Sequence, residues 1–248
     1  MIGGARGDAT DRRRPLLIVT GLPQEARIAA GPGMTVICSS SNPHQLRDAL
    51  GRFDPLSVRG IISFGVAGGL DPALATGDIV VATEVVVGNG RWAAAAGLSG
   101  ELIGAVGDGG HRIRRGIIAG SEIVVPSPHE KAALRAATAA AAVDMESHVA
   151  AAYAALVGLP FAALRVVSDP ASRALPAIAT HALKPDGRVD IWKVLQAIAR
   201  EPSAIPHLMR TGRDFNRAIV TLRGCRRLLL GDGGRLLGGS GSLVTADL

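Results

Sequence analysis

The chain has little of what a stapled or metal-held fold needs. Its only cysteines, Cys38 and Cys225, are too few and too far apart for a disulfide framework or a metal site, which favours a reducing compartment. The histidines, at 44, 111, 129, 148, 181 and 207, show no metal-ligand spacing. Aromatic residues make up 3% of the sequence, so a core must be assembled from Ala, Val, Leu and Ile. The same scarcity, with no zinc, helix-turn-helix or RNA-binding signature, argues against nucleic acid as a partner. No apolar stretch reaches the length of about 18 residues needed to span a bilayer. The opening MIGGARGDATDRRRPLLIVTGL imitates a secretory leader, but its apolar run ends at Leu22 and is followed by Gln24, Glu25 and Arg27 without a small-residue cleavage site. A cytoplasmic location is therefore expected.

What is abundant is apolar and basic. The apolar fraction is 48% and the formal charge +6, while lysine occurs only at Lys131, Lys184 and Lys193. From Arg200 onward eight arginines face Glu201, Asp214, Asp232 and Asp247, so the last fifth of the chain is basic and interleaved with Leu and Ile. A solvated basic face is the plain interpretation. Contact with an anionic membrane surface is the alternative.

Length and the lack of any composition break predict one domain over residues 15–230, a disordered polar start over 1–14 and a Gly- and Ser-rich flexible tail over 231–248. Pro15 to Gly21 reads as a buried strand ending in a glycine turn, with Glu25 just beyond it. Met34 to Ser40 is a second strand, and Asn42-Pro43 opens a helix that runs to Phe53. Ile61 to Phe64 is a strand followed by a glycine loop (Gly65, Ala67, Gly68, Gly69), and another long strand follows Gly77-Asp78. Residues 90–110 look irregular, with a helical piece near Leu98 to Val106. A strand over 116–125 leads to a helix over 129–141, capped by Ser127 with Pro128 at its first position. Then comes AVDMESHVAAAYAALVGLPFAALRVVSD (142–169): an acidic cluster at a strand end, a helix, and a strand that stops on Ser168 and Asp169. Beyond it, 172–187 reads as a loop or lid, 191–200 as a helix, and 207–230 as a longer basic helix. Strands alternating with helices predict a three-layer α/β domain.

Three carboxylates, Glu25, Glu146 and Asp169, fall near strand ends, where open α/β sheets bind their ligands. Singly, each is explained as a helix-start acid or a cap. Asp144 is expected to anchor loop backbone, and His148 to be packed behind Glu146.

In this order the motifs GLPQE, FGVAGGL, the Gly77-Asp78 step, VDMES and RVVSD resemble the nucleoside phosphorylase and methylthioadenosine/S-adenosylhomocysteine nucleosidase superfamily, over roughly Leu16 to Ala171. The spacing of Glu146 and Asp169 is similar to that of its nucleosidase branch. More narrowly, GLPQEA, the VDMES spelling, ALKPDGRVDIW and the basic C-terminal helix resemble the hopanoid-associated phosphorylases, which are thought to remove adenine from adenosylhopane. The resemblance implies an α/β/α nucleoside phosphorylase-like fold with a central mixed sheet, a homo-oligomer, no cofactor or metal, and phosphate or water as the co-substrate. It also implies a small-molecule nucleoside substrate, either lipid-linked adenosylhopane handled at the inner membrane face or methylthioadenosine or S-adenosylhomocysteine; the non-enzymatic alternative is a nucleoside-binding module.

The roles implied fit the chemistry, because breaking a ribose-purine bond builds negative charge on the base and positive charge on the sugar. Asp169 would share a proton with purine N7, and Ser168 would fix it. Glu146 would accept hydrogen bonds from ribose hydroxyls, with Met145 against the sugar. Glu25 would deprotonate an attacking water, while Ala67 and Gly68 line the pocket. Two departures stand out. Ile123 occupies the position of a purine-stacking Phe, and the Arg and Gly-Ser features that hold phosphate in true phosphorylases are missing from SFGVAGG. Glu25 would moreover repel a phosphate dianion. Water is therefore the expected nucleophile.

Overall fold

The computed structural model describes residues 14–107, 109–175 and 205–230, with side chains of the last segment described over 206–226. The expected terminal tails and the segment over 176–204, including the expected helix at 191–200, lie outside the described residues.

The elements in chain order are β1 (Leu16–Thr20), α1 (Pro23–Ala29), β2 (Met34–Cys38), α2 (Pro43–Gly51), a 3-10 turn (Pro55–Ser57), β3 (Ile61–Gly69), β4 (Ile79–Val87), β5 (Gly90–Ala93), α3 (Ala96–Gly107), β6 (Ile113–Gly120), α4 (Pro128–Thr138), β7 (Ala142–Asp144), α5 (Ser147–Val157), β8 (Phe161–Asp169) and α6 (Ile205–Leu230). Local chemistry sets the helix starts. Asn42 accepts the amides of His44 and Gln45 at the head of α2, and Ser127 accepts that of Glu130 at the head of α4.

One mixed sheet runs β2-β1-β3-β7-β6-β4-β5, and β8 pairs with both β3 and β4. Strands β3, β8, β4, β6 and β7 thus close a ring, β8 being parallel to β3 and antiparallel to β4. Strands β1 and β8, and most of β3 and β4, are buried on both faces, which explains their long apolar runs. On β1, Leu17 and Val19 face one core with Leu46 and Leu50 of α2 and Val149 to Ala151 of α5. Leu16 and Ile18 face the other, with Ile28 of α1, Leu98 and Leu102 of α3, and Ala218, Ile219, Leu222 and Cys225 of α6. Among the buried described residues the aromatic contribution is Phe64 and Phe161, the rest of the apolar core being mainly Ala, Val, Leu and Ile. The basic helix therefore uses its apolar stripe as core. None of the described helices is long and apolar enough to cross a membrane.

Several boundaries differ from the sequence expectation. The glycines after Phe64 are in strand rather than loop, because β3 continues to Gly69, pairing with β8 as far as Gly68 with a register shift after Ala67, and its last two residues pair with β7. Within 90–107 the chain forms β5 and α3. Strand β6 runs over 113–120, and 121–127 is a loop.

Candidate active site

The sheet topology brings the acidic segments together. Gly68 of β3 sits between β7 and β8, opposite Val143 on one side and Asp169 on the other, so the residues ending both neighbouring strands emerge at one edge. Glu25 reaches the same edge from the first turn of α1. Its Oε2 accepts the amides of Gly21 (2.9 Å) and Leu22 (2.8 Å), and its Oε1 accepts the amide of Val66 on β3 (2.8 Å). It is a helix-start acid, as its position alone predicts, yet it also bridges to the central strand. Burial pushes its pKa up, opposed by Arg165 and by those three amides. Gly65 makes room for it, since a Cβ there would lie 2.6 Å from Glu25 Oε1.

Behind Glu25 lies a buried cluster of charge. Arg165, fully buried on β8, pairs through Nε with Asp144 Oδ2 (2.7 Å) and through Nη2 with Glu146 Oε2 (3.5 Å), and donates to Val66 O (3.3 Å) and Ser63 Oγ. Asp144 Oδ1 accepts the amides of Glu146 (3.1 Å) and Ser147 (2.8 Å), so Asp144 caps α5 and leaves Glu146 uncommitted to the helix it begins. Glu146 instead accepts Ser39 Oγ (3.2 Å). Burial pushes Glu146 up to about 7; Arg165 opposes the shift, and the nearby Asp144 and Glu25 add to it. One guanidinium thus serves three carboxylates, a net negative cluster away from bulk water.

Asp169 ends β8 and is nearly buried. Its Oδ1 accepts Ser168 Oγ (2.7 Å), whose single hydrogen is shared with Ala67 O at 3.2 Å; its Oδ2 pairs with Lys131 Nζ from α4. Burial raises its pKa, the Lys131 charge and hydrogen bond and the Ser168 hydroxyl pull it back, and Asp214 on α6 raises it.

Glu25, Ala67, Gly68, Ile123, Met145, Glu146, Ser168 and Asp169 all line one cleft of about 170 Å³. Ile123 is 73% exposed there, on the 121–127 loop beside Val124 and Val125. Among the described residues none of α6 lines the cleft; α6 packs through its apolar stripe against Leu16 and Ile18 of β1 and against α3. His148 is buried behind the site, its Nε2 2.9 Å from Glu122 Oε1. Sequence reasoning gave no role to Arg165 or Lys131. The available signals were a lone charge inside the apolar run of β8 and a rare lysine on an Ala-rich helix. Among the described residues no group of three or more His, Cys, Asp or Glu could hold a metal ion.

A family match decides the kinship: residues 38–201 match the phosphorylase superfamily. The chain belongs to the phosphorylase superfamily. The superfamily match takes in Glu146 and Asp169 and begins after Glu25. Solved structures of similar fold include a 5′-methylthioadenosine/S-adenosylhomocysteine nucleosidase of Helicobacter pylori (15% identity, 88% of this chain and 96% of that one, TM-score 0.63). The Neisseria meningitidis nucleosidase of the same description aligns at 18% identity over 86% of this chain and 96% of its own, also with a TM-score of 0.63. A futalosine hydrolase of Helicobacter pylori aligns at 18% over 63% and 88%, with a TM-score of 0.56. No curated protein matches the chain.

Proposed function

We propose that this superfamily member hydrolyses the N-glycosidic bond of an adenine nucleoside. The observation that carries the proposal is the convergence of three buried carboxylates, Glu25, Glu146 and Asp169, each with its pKa raised, on a single cleft. Raising the pKa of a carboxyl group makes it a stronger base when ionised and lets it keep a proton to higher pH. Asp169 shares a proton with purine N7 as negative charge builds on the base. Glu146 accepts hydrogen bonds from the ribose hydroxyls, with Met145 beside the sugar, and Glu25 takes a proton from the attacking water.

Water is favoured over phosphate by the state of the backbone donors. The amides of Gly21, Leu22 and Val66 would make an anion cradle, but they already hold the Glu25 carboxylate, and Arg165 is committed to Asp144 and Glu146. A phosphate dianion would have to displace or face Glu25 in a buried, net negative site.

The substrate is an adenine nucleoside with an apolar 5′ group. Leu22, Ile123, Val124, Val125 and Leu175 give the cleft an aliphatic lining in place of an aromatic one. Adenosylhopane is the substrate favoured by the resemblance to the hopanoid-associated phosphorylases. Methylthioadenosine or S-adenosylhomocysteine is the second reading, supported by the long structural alignment with nucleosidases of that description. Adenine release from the three compounds, each with and without phosphate, tests both substrate and nucleophile; cleavage of methylthioadenosine alone would overturn the adenosylhopane assignment.

A further inference from the structure

Lys131 projects from α4 into the sheet edge that carries Asp169, and its side chain is fully buried. Its ammonium meets three acceptors: Asp169 Oδ2, the Pro170 carbonyl (3.1 Å) and the Arg173 carbonyl (3.1 Å). An ammonium has three N–H donors and a neutral amine two, so this set of partners selects the charged form. A buried cation is costly unless paired, and the carboxylate paired with this one is Asp169. The two carbonyls lie on the turn leaving β8, so the same ammonium fixes both the charge facing Asp169 and the backbone on which it sits.

We propose that Lys131 is the positioning residue of the Asp169 acid: it clamps one carboxylate oxygen, fixes the turn behind it, and sets the pH range over which Asp169 carries the proton for the purine. This role rests on the proposed function above.

The other groups around Asp169 do not supply the charge. From α6, Asp214 is an anion, itself tied to Arg173 at 3.0 Å. From β8, Ser168 contributes a neutral hydroxyl, and Arg165 is committed to Asp144 and Glu146. From β3 the neighbour is Gly68, which has no side chain. Glu25 and Glu146, which line the same cleft, are carboxyl groups and bring no positive charge.

An adjacent cation lowers a carboxyl pKa by about 1–3 units. Without Lys131, Asp169 would stay protonated to higher pH, and the high-pH limb of kcat/KM, where the proton donor is lost, would move up by the same amount. The test is the pH profile of adenine release from adenosylhopane, methylthioadenosine and S-adenosylhomocysteine by the full-length wild type and by K131M, K131Q and K131R. K131Q can still donate to the two carbonyls, so it serves if K131M does not fold. The neutral variants are expected to shift the limb up by about 1–3 pH units, with a larger change in kcat than in KM, and K131R to keep the wild-type limb. An unshifted limb in a folded neutral variant, or a limb displaced as far in K131R as in the neutral variants, overturns the role of Lys131 alone. A wild type that releases no adenine from any of the three overturns the proposed function and this role with it.

Discussion

Replacing Glu146 by glutamine should stabilise the protein while disabling it, by an amount that depends on pH. Glu146 is buried, and its pKa is pushed up to about 7 against 4.5 for a solvated glutamate. A carboxyl whose folded pKa lies above its unfolded value favours folding in its protonated form. Its contribution is therefore full below the unfolded pKa and is lost as pH rises through the folded one. At about 1.4 kcal/mol per unit, the ionised carboxylate costs about 3 kcal/mol near pH 8 but only about 1 kcal/mol near pH 5. Glutamine has the same shape, can still accept the Ser39 hydroxyl and never ionises, and Arg165 keeps its closer partner, Asp144. E146Q is thus expected to exceed the wild type by about 3 kcal/mol near pH 8, with the gap narrowing to about 1 kcal/mol near pH 5. Urea unfolding followed by circular dichroism at the two pH values measures both gaps. A variant less stable than the wild type near pH 8, or a gap that fails to narrow in acid, would refute the conclusion that burial outweighs Arg165 at this carboxylate.

Three further variants probe the same geometry. In G65A the new Cβ would lie 2.6 Å from Glu25 Oε1 and 2.7 Å from Arg165 Nη1, so the carboxylate must move; a displacement of about 1 Å costs about 100-fold in kcat, and overpacking about 1–3 kcal/mol in stability, both checked by steady-state kinetics and thermal melts. D169N should lose about 100- to 10,000-fold in kcat/KM and, by leaving the Lys131 ammonium buried without a counter-charge, about 3–5 kcal/mol of stability. The double variant K131M/D169N should recover most of that stability and none of the activity, whereas a double variant no more stable than D169N would mean the buried cation is not the cause.

Much of this architecture could be read from the chain because its causes are local. The apolar runs of β1, β4 and β8 reflect strands covered on both faces, and Asn42 and Ser127 announce the helices they cap. The strand β5 escaped because GRWA is short, half-exposed and held on one side only, by β4. The glycines of β3 read as a turn because glycine weakens an isolated strand; here β7 and β8 hold them, and the carboxylates of Glu25 and Asp169 crowd the space that side chains would need. Glu25, Glu146 and Asp169 were legible as acids near strand ends. Lys131 and Arg165 were not, because a buried charge is explained by a partner distant in sequence. Lys131 answers Asp169 38 residues away, and no periodicity encodes such a pair.

Hydrolysis and phosphorolysis part most directly in the fate of adenine when phosphate is removed. Purified full-length protein given adenosylhopane, methylthioadenosine or S-adenosylhomocysteine in phosphate-free buffer should release adenine and the free ribosyl product at the rate seen with phosphate present. Adenine release that requires phosphate and yields a ribose 1-phosphate would contradict it, because the amides of Gly21, Leu22 and Val66 would then have to serve an anion other than Glu25.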